Sequence, residues 1–303
     1  MRILDQFSRS ILSATSGYLL DAGFTHSLTP ARNCTYGCTY CYVPTMGLYG
    51  GLKPEDWSHW GQHTTFKSNA ATLLRKELRR TQRIYCSPLT DPYQPAEADR
   101  RLMPEILAAV EQAPPAVFVL QTRGPLILRD LELLLRLKQR TCLRVSFSIT
   151  TDDDNIRRLY EPHCAPTTDR LETIRELRGA GIEVYATLAP ILPCNPDRLV
   201  EIAFEASGRD VITDPLHLRA SKPRGATTRE AAFRIARVQH HTDWFEPSFQ
   251  ADLVKRMQFA ARRLGTRAVT GVKGFGLLSS NPSVPAIGSC LPQQMNLLSE
   301  KPS

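Results

Sequence analysis

The 303-residue sequence lacks the features of a membrane or exported protein. It has no run of about 18 apolar residues, so we expect no membrane-spanning helix. Its beginning, Met1 to Gln6, has an early acid at Asp5 and no long apolar stretch, unlike a signal peptide. We therefore expect a reducing compartment, with the cytoplasm as the default.

Several common functional patterns are also missing. The sequence shows no glycine-rich loop that would cradle phosphates and no serine, histidine and aspartate arrangement for nucleophilic catalysis. No internal repeat or low-complexity segment stands out. These absences exclude a phosphate-loop protein, a triad hydrolase and a repeat protein as working hypotheses.

The composition provides apolar residues for a sizeable core and an excess of positive charge. Hydrophobic residues make up 42% of the chain, and a single α/β barrel domain commonly reaches this length, so we expect one domain over 1–303. The net charge is +8, with 38 lysines and arginines. An anionic partner such as nucleic acid is therefore a candidate, with a solvated basic surface as the alternative.

Three of the eight cysteines, Cys34, Cys38 and Cys41, share one short loop in a C-x3-C-x2-C spacing. Thiolates at this spacing suit iron–sulfur or zinc ligation. A structural zinc ion would need a fourth ligand, and both His26 and His59 are too distant in sequence for a compact site. An open coordination position is the more economical interpretation, with buried or zinc-binding cysteines as the alternative.

Strand-like and helix-like segments alternate along the chain. Strands are predicted near 24–30, 83–87, 116–121, 143–150, 182–189 and 210–214. Helices are predicted over 69–80, 103–112, 129–138, 168–179, 196–207, 228–240 and 247–264, with a long loop over 44–66 and an acidic turn at 152–154. This alternation predicts right-handed βαβ units and a parallel sheet. We expect an α/β fold, a partial (β/α)6 barrel over about 24–215 with a C-terminal helical extension over about 216–303.

The cysteine loop resembles the hallmark of the radical S-adenosylmethionine (SAM) superfamily, C-x3-C-x-φ-C with φ aromatic. Cys34, Cys38, Tyr40 and Cys41 match it without a gap, and Gly37 suits a tight turn. The resemblance implies a [4Fe-4S] cluster on the three cysteines, with one iron free to chelate SAM. It further implies a flavodoxin- or ferredoxin-type electron donor and reductive cleavage of SAM to a 5′-deoxyadenosyl radical.

A second segment, Thr90 to Glu97, reads T-D-P-Y-Q-P-x-E and resembles the spore photoproduct lyase-like branch of that superfamily. Active sites of parallel α/β folds lie at the carboxyl ends of strands, and this segment follows the second predicted strand. The resemblance makes Ser87, Thr90 and Asp91 candidates to contact the SAM amino group. It places Tyr93 near the path of the radical.

Other candidates follow from the same resemblance. Arg123, after the third strand, would face the SAM carboxylate, and Tyr40 would contact SAM through its backbone. Ser148, on one strand face with Ser146, would contact the ribose, and Ala189 would pack on the adenine. The alternatives are a surface arginine for Arg123 and ordinary barrel core for Ala189.

Cys86 is the candidate hydrogen donor, because the photoproduct lyase that gives the branch its name uses a cysteine near its second strand. A small apolar filler is the alternative. Cys164 and Cys194, which follow later strands, and the more distant Cys290 compete for this role, whereas Cys142 precedes its strand. Cys164, Cys194 and Cys290 are too far apart in sequence for an auxiliary cluster, so we expect one cluster.

The sequence thus predicts a radical SAM enzyme that abstracts hydrogen from an unidentified substrate, with nucleic acid as a candidate. A narrower alternative is DNA repair of the photoproduct lyase type. An alternative of another class is a non-catalytic nucleic-acid-binding protein with a structural cluster, which would leave the pattern of Ser87, Arg123 and Ser148 unexplained. Glu161 and Arg170 match further positions of the branch without an assigned role.

Overall fold

The computed structural model describes residues 1–45, 59–216 and 230–280. Strands run over β1 (Arg2–Gln6), β2 (Leu12–Ala14), β3 (His26–Leu28), β4 (Ala31–Arg32), β5 (His63–Lys67), β6 (Arg83–Cys86), β7 (Val117–Thr122), β8 (Cys142–Ser148), β9 (Glu183–Leu188), β10 (Val211–Thr213) and β11 (Ala268–Thr270). Helices run over α1 (Tyr18–Asp21), α2 (Ala70–Glu77), α3 (Glu97–Arg100), α4 (Leu102–Gln112), α5 (Leu131–Leu137), α6 (Asp154–Tyr160), α7 (Thr167–Gly179), α8 (Pro196–Ser207), α9 (Glu230–Val238), α10 (Pro247–Arg263) and α11 (Gly271–Ser279).

The main sheet has the strand order β11-β10-β9-β8-β7-β6-β3-β2. Every neighbouring pair from β3 to β11 is parallel, and β2 pairs antiparallel with β3. The six predicted strands are confirmed as β3, β6, β7, β8, β9 and β10. Within the described ranges β2 and β11 are separate edges, so the sheet forms a partial barrel, as the sequence predicted.

Three local predictions were wrong. The end of the predicted 44–66 loop forms β5, which joins β1 and β4 in a second, three-stranded sheet; residues 46–58 lie outside the described part of the chain. The acidic turn at 152–154 instead starts α6, because the Asp153 carboxylate caps the helix by accepting a hydrogen bond from the Asn155 N–H. The C-terminal region contributes β11 to the main sheet as well as helices.

The two faces of the main sheet bury different partners. Ile84, Leu120 and Phe147 belong to the core that packs against the surrounding helices. On the other face, here called the inner face, Tyr85 and Val119 pack with residues of α11. Burying a large apolar side chain contributes roughly 1.5–3 kcal/mol, so both faces stabilise the sheet.

Parallel pairing brings the carboxyl ends of β6, β7, β8 and β9 to one edge of the sheet. The segments that follow these strands are therefore neighbours in space. No helix within the described ranges is long and apolar enough to cross a membrane.

Candidate functional site at the carboxyl ends of the strands

The cysteine loop follows β4 and turns tightly between its thiols. Cys34 and Cys38 are buried, and Cys41 is half-buried. Gly37 has a φ of +63°, and a Cβ on it would lie 3.2 Å from the Cα of Gly61, so the predicted need for glycine follows from both conformation and space. In the described residues no three histidine, cysteine or acidic side chains are close enough together to hold a metal ion. The three thiols of the loop are nevertheless the donor type that holds an iron–sulfur cluster.

Cys38 has polar neighbours from two other segments of the chain. Its Sγ lies 3.9 Å from the Sγ of Cys164 and accepts a hydrogen bond of 3.6 Å from Nη1 of Arg123. The hydrogen bond from Cys164 lowers the pKa of Cys38 despite burial, and Arg123 lowers it further. Burial raises the pKa of Cys34 instead. The surroundings of Cys38 therefore favour its thiolate.

The segment after β6 is tied to the end of β7. Ser87 Oγ and Thr90 Oγ1 are hydrogen-bonded at 3.0 Å. The Asp91 carboxylate accepts hydrogen bonds from Thr122 Oγ1 at 2.7 Å and from the backbone N–H of Arg123 at 2.8 Å. Burial raises the pKa of Asp91, and these donors oppose that shift. Asp91 thus holds the start of the Arg123 segment in place.

The same motif also holds the cysteine loop. Gln94 Oε1 accepts a hydrogen bond of 2.8 Å from the backbone N–H of Thr35, which lies between two of the candidate ligands. Glu97 is fully buried, accepts hydrogen bonds from the first two N–H groups of α4 and pairs with Arg129 at 2.9 Å. Gln94 and Glu97 therefore have structural contacts that explain their presence in the motif.

Arg123 reaches the cysteine loop through a buried ion pair. Its Nη1 lies 2.5 Å from Oε1 of Glu161 and also contacts the hydroxyl of Tyr40. Oε1 also accepts from Thr150 Oγ1 at 3.0 Å, and Oε2 accepts from Nη2 of Arg170 at 2.5 Å. Burial raises the pKa of Glu161, but the two arginines outweigh it and bring the pKa to about 2. Glu161 is therefore a carboxylate at neutral pH.

Ser148 and Ala189 lie at the ends of β8 and β9. Ser146 and Ser148 share the inner face, as predicted, and Ser146 is hydrogen-bonded to Thr187 at 2.7 Å. The Ser148 hydroxyl is buried and has no hydrogen-bond partner among the described residues. Ala189 is half-buried and packs against the inner-face core. Burying a hydroxyl without a hydrogen bond lowers the stability of the folded protein, so Ser148 is a candidate to bind a polar group of a ligand.

The structure does not bring Cys86 to the inner face. It is fully buried, pairs in register with Leu28 and Leu120, and points to the opposite side from Tyr85. This placement matches the apolar-filler alternative.

Tyr93 is also fully buried, and its backbone carbonyl accepts a hydrogen bond from the Tyr36 hydroxyl. Burial raises the pKa of the Tyr93 phenol well above its ordinary value. Tyr93 is therefore a neutral phenol inside the protein.

Two contacts beside the cysteine loop were not predicted from the sequence. Glu161 and Arg170 form the buried pair beside the cysteine loop, and the Cys164 thiol lies 3.9 Å from that of Cys38. The sequence did indicate that Glu161 and Arg170 matter, because both match positions of the spore photoproduct lyase-like branch. They lie on either side of the start of α7. Which charges they meet depends on tertiary structure, so their function was not visible in the sequence.

The family model described as the radical SAM superfamily matches residues 28–206, more than half of the chain. An uncharacterised protein of Mycobacterium tuberculosis is 30% identical over 208 residues, which cover 65% of this chain and 60% of the relative. The chain thus spans about three fifths of the length of that curated relative.

Two similar solved structures are mutants of spore photoproduct lyase. A cysteine-to-serine mutant has a TM-score of 0.59 and 14% sequence identity, with 88% of this chain and 81% of that chain covered. A double mutant with bound SAM and a dinucleoside spore photoproduct has a TM-score of 0.54 and 16% identity, with 77% and 66% covered. At these identities the likeness shows a shared fold.

Proposed function

The chain belongs to the radical SAM superfamily, and from that premise we propose that it is an enzyme with one [4Fe-4S] cluster on Cys34, Cys38 and Cys41. The cluster would supply an electron to SAM, whose cleavage generates a 5′-deoxyadenosyl radical for hydrogen abstraction from an unidentified substrate. The electron donor in this proposal is of the flavodoxin or ferredoxin type, and the compartment is the cytoplasm. One domain, with its core over 24–215, would carry the activity.

One observation carries the proposal: Arg123 links the cysteine loop to the strand ends and still has donors to offer. Its hydrogen bonds to Cys38, Tyr40 and Glu161 all use Nη1. The edge formed by Nη2 and Nε has no hydrogen-bond partner in the described part of the chain, and a guanidinium edge matches a carboxylate in two parallel hydrogen bonds. The carboxylate of SAM is the anion that this family brings to the site.

The other polar groups fit the same occupant. The unpaired hydroxyl of Ser148 suits a ribose hydroxyl, and the small side chain of Ala189 leaves space for an adenine. The hydroxyls of Ser87 and Thr90 are candidates for the SAM amino group. Asp91 is a weaker candidate for that contact, because its carboxylate already accepts hydrogen bonds from the end of β7.

DNA repair of the photoproduct lyase type is the narrower candidate. The solved lyase structure with a dinucleoside photoproduct and the net charge of +8 of this chain favour a nucleic-acid substrate. The repair reaction needs a hydrogen donor near the radical. Cys86, buried among leucines on the far side of β6, is poorly placed for that role, so we keep the broader reaction class as the proposal.

Replacing Arg123 with alanine should weaken SAM binding by about 1.5–3 kcal/mol, because a charge-assisted carboxylate contact is lost. The measurement is equilibrium binding of SAM to the reconstituted protein under anaerobic conditions, with 5′-deoxyadenosine formation as the activity readout. Arg158→Ala, an exposed arginine on α6, is the control and should bind SAM like wild type. Unchanged affinity in a folded Arg123→Ala protein would remove Arg123 from the site.

A further inference from the structure

Glu161 is the centre of a buried polar network. Both of its carboxylate oxygens are used, and its side chain is fully buried. One oxygen accepts from Arg123, Tyr40 and Thr150, and the other accepts from Arg170. Tyr40 is the residue before the candidate ligand Cys41, so the network joins the cysteine loop to the ends of β7 and β8.

Burying the charges of this network carries a desolvation penalty that an apolar core of the same volume would not carry. Two guanidinium groups share one carboxylate, which leaves one positive charge uncompensated within the group. Arg170 is only 1% exposed, and its Nη1 has no hydrogen-bond partner in the described residues. Replacing buried ion pairs with apolar residues of similar volume is often neutral or stabilising. The arrangement is therefore better explained by what it holds in place than by stability.

Arg123 is the part of the network that the carboxylate restrains. A free arginine side chain samples many rotamers, and fixing it beforehand reduces the entropy lost on binding a ligand. Glu161 and Tyr40 hold Nη1 at a position 3.6 Å from Cys38 Sγ. The guanidinium face also lies over the Tyr40 ring, 5.8 Å from the ring centroid. The orientation of the remaining Nη2–Nε edge is thus set by Glu161.

We propose that Glu161, anchored by Arg170, is the positioning residue that fixes Arg123 with Nη1 on Cys38 and its other edge open to the carboxylate of SAM. This inference rests on the proposed function for its ligand. It adds a second consequence, because hydrogen bonds to cluster sulfurs influence reduction potential. Glu161 therefore acts on both SAM affinity and the cluster through Arg123, without touching either.

The test uses the double variant Glu161→Gln/Arg170→Met, which removes one negative and one positive charge and so keeps the total charge beside Cys38. The matched control is Arg144→Met/Glu183→Gln, a pair at 3.0 Å toward the amino-terminal ends of β8 and β9. Thermal unfolding reports stability, anaerobic equilibrium binding reports SAM affinity, and an EPR-monitored titration reports the midpoint potential of the cluster. Crystal structures without SAM report the position of Arg123.

We expect the SAM dissociation constant of the Glu161 double variant to rise roughly tenfold to hundredfold, the loss expected for a charge-assisted contact. The midpoint potential should fall, because Cys38 loses a fixed donor, and Arg123 should leave Cys38 in the crystal structure. The control should keep the wild-type affinity and potential. Wild-type affinity and potential in the Glu161 double variant would overturn the proposal.

Failure of the proposed function gives a different result. If the wild-type protein binds neither a cluster nor SAM, the proposed function is wrong, and the crystal structures alone decide the role of Glu161. Arg123 remaining within hydrogen-bonding distance of Cys38 in the double variant would then overturn the positioning role. Displacement of Arg123 in that variant alone would support it.

Discussion

Alanine at Cys34, Cys38 or Cys41 should abolish cluster binding and reduce SAM cleavage to background. The protein reconstituted with iron and sulfide should hold about four iron atoms per chain, and each variant should hold less than about one. The physical reason is that an open-sited cluster has three protein ligands, so no spare thiolate within the loop replaces a lost one. Iron and sulfide quantitation with the absorbance spectrum makes the measurement.

Two other thiols provide the controls for this series. Cys142→Ala removes a thiol at the amino-terminal end of β8 and should leave the iron content unchanged. Cys164→Ala removes the thiol beside Cys38 and should also leave four iron atoms, because Cys164 lies outside the ligand-spaced loop. A full iron complement in a loop-cysteine variant, or its loss in Cys164→Ala, would contradict this ligand set.

Glu161→Gln alone should destabilise the folded protein by about 3–5 kcal/mol at neutral pH, because Arg170 would remain buried without its counter-charge. Denaturant unfolding of the protein without cluster gives the free energy. The double variant with Arg170→Met should recover most of the loss, since it removes the stranded charge as well. Glu172→Gln, which breaks an exposed pair with Arg175, should cost about 1 kcal/mol or less.

The stability that the Glu161 carboxylate contributes depends on pH, and the pKa of Glu161 gives the direction of that dependence. The pKa of Glu161 is lowered from 4.5 to about 2 in the folded protein, so its contribution to stability is complete above about pH 4.5. That contribution is lost as the pH falls through about 2. The stability difference between wild type and Glu161→Gln should therefore shrink as the pH is lowered from 5 towards 2. A difference that stays constant over this range would contradict an ionised Glu161.

The order of strands and helices could be read from local patterns, and the exceptions have a physical cause. The strands of the main sheet from β6 to β9 carry buried apolar residues and alternate with helices along the chain. β5 has the mostly polar sequence HTTFK, and its partner β1 lies about sixty residues earlier in the chain, so its pairing is non-local. β11 is a three-residue strand that follows α9 and α10 and joins the sheet beside β10.

The site was predictable where chemistry depends on sequence spacing. The cysteine loop and the T-D-P-Y-Q-P-x-E segment were predicted to lie together, and the structure joins them through the Gln94–Thr35 hydrogen bond and places Arg123 beside Cys38. Cys86 was expected near the chemistry, but the alternation along β6 directs it into the core among leucines. The contact of Cys164 with Cys38 joins residues 126 positions apart, a separation that no local pattern reports.

EPR spectroscopy of the reconstituted and chemically reduced protein, recorded under anaerobic conditions with and without SAM, tests the central claim most directly. A cluster with one iron open to SAM should give a reduced signal whose shape changes when SAM is added. Arg123→Ala should need more SAM for the same change. A cluster signal that is indifferent to saturating SAM would contradict the account and favour a structural cluster in a non-catalytic nucleic-acid-binding protein.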